Sequence, residues 1–325
     1  MFLPDSYTVA LVMILFGMFC WGSWANTVKL TKNWRFELFY WDYAVGIFLT
    51  SVLVGLTLGS FFGSETYLQN LVATDRSGLF YAMLAGVVWN FGNVLLTAGV
   101  ALAGIAVAFP VAAGMSLVLG VVGSYILAPR GNPLLLFGGV ALVFMAVVVN
   151  SLAYRTAAAS RQTVSKAGLL ICIGAGVLLS GWGPLLTKAF SSPHPPGPYG
   201  AVSLFTLGGL VCTIPVMISM MRHPLEGAPL GWAEYAKGSK TQHAVGLLGG
   251  FVWTLGMTLI FVPQKMVGMA QAYAIGMSCP LVAALWGVFI WREFRGAPRR
   301  SHVLLGLMFA LFFVGLMLQT MSFGS

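Results

Sequence analysis

The chain has 325 residues, 58% of them apolar and only 8% charged, against about 25% charged in soluble domains. So little charge cannot cover a water-facing surface, which excludes a soluble globular protein, and the continuous apolar runs exclude the alternation of a membrane β-barrel. The formal charge of +9 fits basic loops at one membrane face and gives no reason to expect nucleic acid as a partner.

The length suits about ten helices of ~20 residues with short connections. The expected spans are Tyr7–Leu30, Glu37–Phe62, Gly78–Leu102, Gly104–Leu127, Leu134–Tyr154, Ala167–Phe190, Pro198–Met221, His243–Val262, Val267–Trp291 and Val303–Met321. The start, MFLPDSYTVA, has no basic n-region, so the first span is expected to act as the insertion signal. Its second half reads FGMFCWGSWANT. Trp24 and Asn26 there offer an indole face and an amide within hydrocarbon, which suits an uncharged polar ring or a helix interface.

The second span carries Asp42, the one carboxylate well inside an apolar run. It lies five residues beyond Glu37, about 7–8 Å along a helix. It is either a proton-coupling group or an interfacial partner of Lys29 or Arg35. The third span carries Trp89, Asn90 and Asn93, the two amides three residues apart and so on one face. The fourth contains Pro110 near Gly114 and Ser116, the eighth Trp253-Thr254, and the ninth Gln271, Tyr273, Gly276, Ser278 and Pro280. Proline frees a carbonyl mid-membrane, and such broken helices line many transporter sites. The candidate solute-binding set is therefore Trp24, Asn26, Trp89, Asn90, Asn93, Trp253, Gln271 and Tyr273.

One stretch occurs twice. Residues 84–125 align without a gap to residues 248–289 at an offset of 164, with 12 identities in 42 positions, against roughly four or five expected by chance for this composition. Trp89/Trp253 and Gly104/Gly268 are among them. Spans three and four thus match spans eight and nine, and the unit is five helices: residues 1–161 and 162–325 together make one transport unit. An odd unit re-enters the membrane from the opposite side. The expected fold is all-α and integral to the membrane, with ten transmembrane helices as two inverted five-helix repeats, an arrangement characteristic of secondary transporters.

Of the 17 Lys and Arg, 13 fall on the side of the 1–2, 5–6, 7–8 and 9–10 connections and four on the other. The rich side is expected to be cytoplasmic and both termini outside. Cys20, Cys172, Cys212 and Cys279 form no metal or disulfide pattern. No catalytic, phosphate-binding or metal-binding spacing occurs, so neither an enzyme nor a cofactor is expected.

Trp21-Gly22-Ser23-Trp24, Tyr40-Trp41-Asp42-Tyr43, Gly92-Asn93, Gly249-Gly250-Phe251, Trp286-Gly287-Val288-Phe289 and Glu293-Phe294-Arg295 resemble the drug/metabolite transporter superfamily, and more specifically its ureide permease branch and the related bacterial sugar porters. The plant members have a long central loop; the short Arg155–Lys166 connection is similar to a compact bacterial form. The resemblance implies proton symport of ureides, nucleobases or sugars, and gives Asp42 the family's helix-2 aspartate role. The combined expectation is a proton-coupled importer of a small, polar, uncharged solute (nucleoside, nucleobase, ureide or sugar) in the bacterial inner membrane, as a monomer or homodimer. An exporter of metabolites or drugs on the same fold, and a non-transporting receptor or scaffold, are the alternatives.

Overall fold

The structure, a computed structural model, describes residues 1–31, 34–157, 166–224 and 227–322, apart from the side chains of residues 101, 105 and 106. Among the described residues ten helices are long and apolar enough to cross a membrane: α1 Tyr7–Leu30, α2 Phe36–Leu56, α3 Arg76–Val100, α4 Phe109–Leu127, α5 Pro133–Ala157, α6 Lys166–Phe190, α7 Pro198–Arg222, α8 Lys240–Phe261, α9 Met269–Ile290 and α10 Arg299–Met321. No strand occurs among the described residues. The expected division between residues 161 and 162 lies outside the described residues, as do Lys32 and Arg161 of the charge count. The end of the bundle carrying the 1–2, 5–6, 7–8 and 9–10 connections is called the basic face below.

Several ends differ from the sequence expectation for local reasons. The second span was expected to run to Phe62, but α2 stops at Leu56. Apolar residues continue through Phe61-Phe62, yet the chain turns at Gly59-Ser60 and the Phe2 N–H binds the Leu58 carbonyl. The fourth span begins with a short turn, Ile105–Ala108, then a π-helical turn at Phe109–Ala113 around Pro110. Proline has no N–H to donate and crowds the preceding turn, so the ladder widens there. α9 is broken between Gly276 and Pro280, and its last turn, Trp286–Ile290, is also π-helical.

The repeat is visible in backbone geometry. Gly104 has φ 78° and ψ 155°, and Gly268 has φ 90° and ψ 146°. Only glycine adopts this region at no steric cost, so the same turn is built twice. Packing is reciprocal as well: α3 lies against α6 and α7, while α8 lies against α1 and α2. Gly86 of α3 closes on the Phe205 carbonyl of α7, and its repeat partner Gly250 on the Tyr43 carbonyl of α2. With no hydrophobic driving force between helices in lipid, such close backbone approach supplies the packing. α3 and α8 thus cross at the middle of the bundle, where the Trp89 and Trp253 rings meet 4.5 Å apart.

Candidate solute-binding cavity

The crossing of α3 and α8 leaves a cavity of about 310 Å³ between them and α1, α4, α5, α6 and α9. That is at the lower end of the roughly 300–1,000 Å³ usual for small-molecule sites. Four tryptophans, Trp21, Trp89, Trp182 and Trp253, form its floor near mid-membrane. They hold one another edge and face: Trp21 packs 6.0 Å from Trp182 and 5.9 Å from Trp253, and its indole N–H donates to the Trp253 carbonyl at 3.1 Å. Trp24 forms a further wall and stacks on Tyr43 at 4.6 Å. Besides the indole N–H groups, the polar groups on the wall are Asn93, Ser116, Asn150, Ser151 and Tyr154; among the described residues no charged side chain lines the cavity. Flat apolar faces with a few uncharged hydrogen-bonding groups can hold a neutral polar ring and offer nothing to stabilise an ion.

The lining residues nearest a helix end, Ala25, Leu96, Phe109, Tyr154 and Ala284, all lie toward the basic face. At that end Tyr154 donates to Glu293 at 2.6 Å, and Lys29 pairs with the same carboxylate at 2.5 Å. Burial pushes the Glu293 carboxyl up, but the hydrogen bonds from Lys29 and Tyr154 and the lysine charge outweigh it and hold the group below its usual range. Toward the other face the way is shut. Tyr273 packs 4.6 Å from Trp182, bonds the Ser116 hydroxyl at 2.9 Å and donates to the Ser116 carbonyl at 3.1 Å. Beyond it the Gln271 amide donates to the Arg130 carbonyl, and Arg130 to that of Lys265.

Of the eight residues of the candidate solute-binding set, Trp24, Trp89, Asn93 and Trp253 line the cavity. The others do not. Asn26 accepts from the Trp291 indole at 2.5 Å and donates to the Ser23 carbonyl, so it ties α1 to the end of α9. Asn90 is buried one layer back, accepting from Tyr40 at 2.6 Å and from Thr213 at 3.4 Å. Tyr40 in turn accepts from Asn93 at 3.2 Å. Gln271 and Tyr273 belong to the seal just described. Asn150, Ser151 and Tyr154 of α5 escaped sequence reading. The available signal was Asn150 and Tyr154 four residues apart, hence on one face of an otherwise apolar helix.

Asp42 is outside the cavity too. Its carboxylate bonds His243 Nδ1 at 2.9 Å and accepts from the Tyr235 hydroxyl at 2.7 Å. Neither Lys29 nor Arg35, the partners weighed from sequence, reaches it: Lys29 pairs with Glu293, and Arg35 with Glu37 at 2.5 Å. Burial raises the Tyr235 phenol above its ordinary range, and the hydrogen bond to Asp42 and the aspartate charge raise it further. The neighbours of Asp42 do reach the site. Tyr40 holds Asn93, and Tyr43 backs Trp24.

The sequence model of the family described as "Ureide permease" matches residues 39–173 and 167–322. Ureide permease 1 of Arabidopsis thaliana is 23% identical over 389 aligned positions, spanning 100% of this chain and 99% of its own length. The Staphylococcus aureus protein named "Probable glucose uptake protein GlcU" is 23% identical over 233 positions, covering 70% of this chain and 74% of that protein. A solved crystal structure superposes with a TM-score of 0.61 at 16% identity, covering 95% of this chain and 98% of that one, a likeness of fold alone.

Proposed function

The chain belongs to the ureide permease family, and from that premise we propose that it imports a small, polar, uncharged solute by proton symport. The relatives, ureide permeases and a glucose uptake protein, make it a transporter of small polar solutes and not an enzyme. The observation that carries the finer reading is the cavity itself: about 310 Å³, floored by four tryptophans, with apolar walls whose polar groups, among the described residues, are all uncharged. A nucleoside, nucleobase, ureide or sugar matches that lining. An ion or a zwitterionic amino acid would lose its hydration there with nothing to replace it.

The reciprocal packing and the doubled glycine turn support two inverted halves, residues 1–161 and 162–325, rocking around a fixed midplane site. The basic face is then cytoplasmic and both termini lie outside, and a bacterial inner membrane suits the compact chain. Proton coupling is assigned to Asp42. Because Asp42 does not line the cavity, coupling runs through α2, whose Tyr40 and Tyr43 touch the lining residues Asn93 and Trp24.

Purified protein in liposomes, given an inward proton gradient and labelled uracil, allantoin, glucose or ribose, is expected to accumulate at least one of them. Efflux of amphiphilic compounds without accumulation of any of the four would replace the importer by an exporter. In intact cells an impermeant thiol reagent should label a cysteine placed at Glu65 but not one at Lys237; the opposite result would reverse the orientation.

A further inference from the structure

We infer that Asn150 sets the specificity of the cavity by accepting a hydrogen bond from the transported solute, so that α5 selects neutral solutes bringing an N–H or O–H donor to it. The inference rests on reading the cavity as the solute site.

Of the amides and hydroxyls on the wall, the other four residues each have a protein partner. The Asn93 amide donates to Tyr40 at 3.2 Å, and Ser116 donates to the Leu179 carbonyl at 3.0 Å. Ser151 donates to the Val147 carbonyl at 3.1 Å, and Tyr154 to Glu293 at 2.6 Å. Asn150 is different: its side-chain oxygen is buried and has no partner among the described residues. Buried acceptors are satisfied in the great majority of cases. Asn150 lines the cavity, and a turn of its amide about the last side-chain bond brings the oxygen to that space, so the cavity is the side from which a donor can come.

The chemistry then sorts solutes. A solute whose donor reaches Asn150 exchanges its bond to water for one of the same kind. A solute carrying a methyl group or an acceptor at that point leaves the oxygen unmet and loses its own hydration. Rejection of a ligand that lacks a needed polar group is stronger than rejection by shape, because the unmet partner in the site is penalised as well. The apolar floor adds affinity for any flat face and discriminates little. Asn150 therefore contributes selectivity where the tryptophans contribute binding.

The test is a comparison of ligand pairs. Binding of uracil with 1-methyluracil and 3-methyluracil, and of glucose with 3-O-methylglucose, is measured on purified wild type and on Asn150→Leu, which keeps similar bulk and removes the acceptor. The wild type is expected to bind a parent about 5- to 150-fold more tightly than one of its methylated partners. In Asn150→Leu that gap should close, mostly through weaker binding of the parent. A gap of equal size in both proteins, or none in the wild type, overturns the assignment of Asn150. Should Asn150→Leu fail to give a monodisperse protein, Asn150→Thr is read by the same criterion; its shorter side chain should shrink the gap, and an unchanged gap overturns the inference. Failure of the wild type to bind either parent overturns instead the reading of the cavity as a site for such solutes, and with it this inference.

Discussion

Two carboxylates near the basic face show how neighbours assign work to a side chain. Glu293 is held below its usual range by Lys29 and Tyr154. A depressed carboxylate contributes stability that is complete above its unfolded pKa and lost only as pH falls through the folded value. Glu293 is therefore held in its ionised form, which suits an ion-pair partner of Lys29 better than a proton carrier. Asp42 sits in an apolar layer, with His243 and Tyr235 as its contacts, and is the carboxylate to which coupling is assigned. Asp42→Asn keeps the shape and can still accept from Tyr235. It is expected to abolish accumulation driven by a pH gradient while leaving solute counterflow largely intact. Accumulation by the variant in vesicles would make Asp42 a packing residue. The partner of Asp42 was illegible in the sequence because His243 is 201 residues away and reaches it only through the crossing of α2 and α8. The depth of Asp42 was legible, since position along a helix is a count of residues.

Among elements, the helices themselves were plain from apolar run length, and the repeat paired Gly104 with Gly268, which the structure places in matching turns. Rotation about each helix axis was not plain. Asn26 and Gln271 are polar groups at sensible depths, yet both point at neighbouring chain and away from the cavity. A polar residue in a span must have a partner, but its identity alone does not say whether that partner is solute or protein. The glycines of α3 and α8 were legible as a pair and their purpose was not. A Cβ on Gly86 would collide with the Phe205 carbonyl, whereas one on Gly306 meets nothing within 4 Å. Gly86→Val must therefore push α3 from α7, at a cost of at least the 1–3 kcal/mol typical of overpacking. Gly306→Val should be nearly neutral. Thermal unfolding of the two variants in detergent checks this, and equal stability would show that α3 and α7 tolerate separation.

For the whole molecule, the described conformation is asymmetric although its sequence is repeated. The cavity reaches toward the basic face and is shut off from the other by the Tyr273 layer and the loops behind it. That asymmetry could not be read from the sequence, because a repeat specifies what the halves share and says nothing of which one is closed at a given moment. The tryptophan floor belongs to both halves, one Trp from each of α1, α3, α6 and α8, and is where a solute would rest while the closed side changes.

Tyr273 has a counterpart. In the repeat register it corresponds to Phe109, and while Tyr273 is wedged against Trp182, Phe109 still borders the void. An exchange of conformations between the halves would seat Phe109 and unseat Tyr273, trading one aromatic contact for another of similar worth. What does not cancel is the tyrosine hydroxyl and its bonds to Ser116. The balance between the two resting populations then leans toward this conformer by about one net hydrogen bond, roughly 1 kcal/mol or fivefold. Removing a single oxygen, as in Tyr273→Phe, should bring the populations toward equality, seen as slower modification of the cavity-lining Cys279 by a thiol reagent supplied from the basic face. An unchanged rate would mean that the bias resides elsewhere.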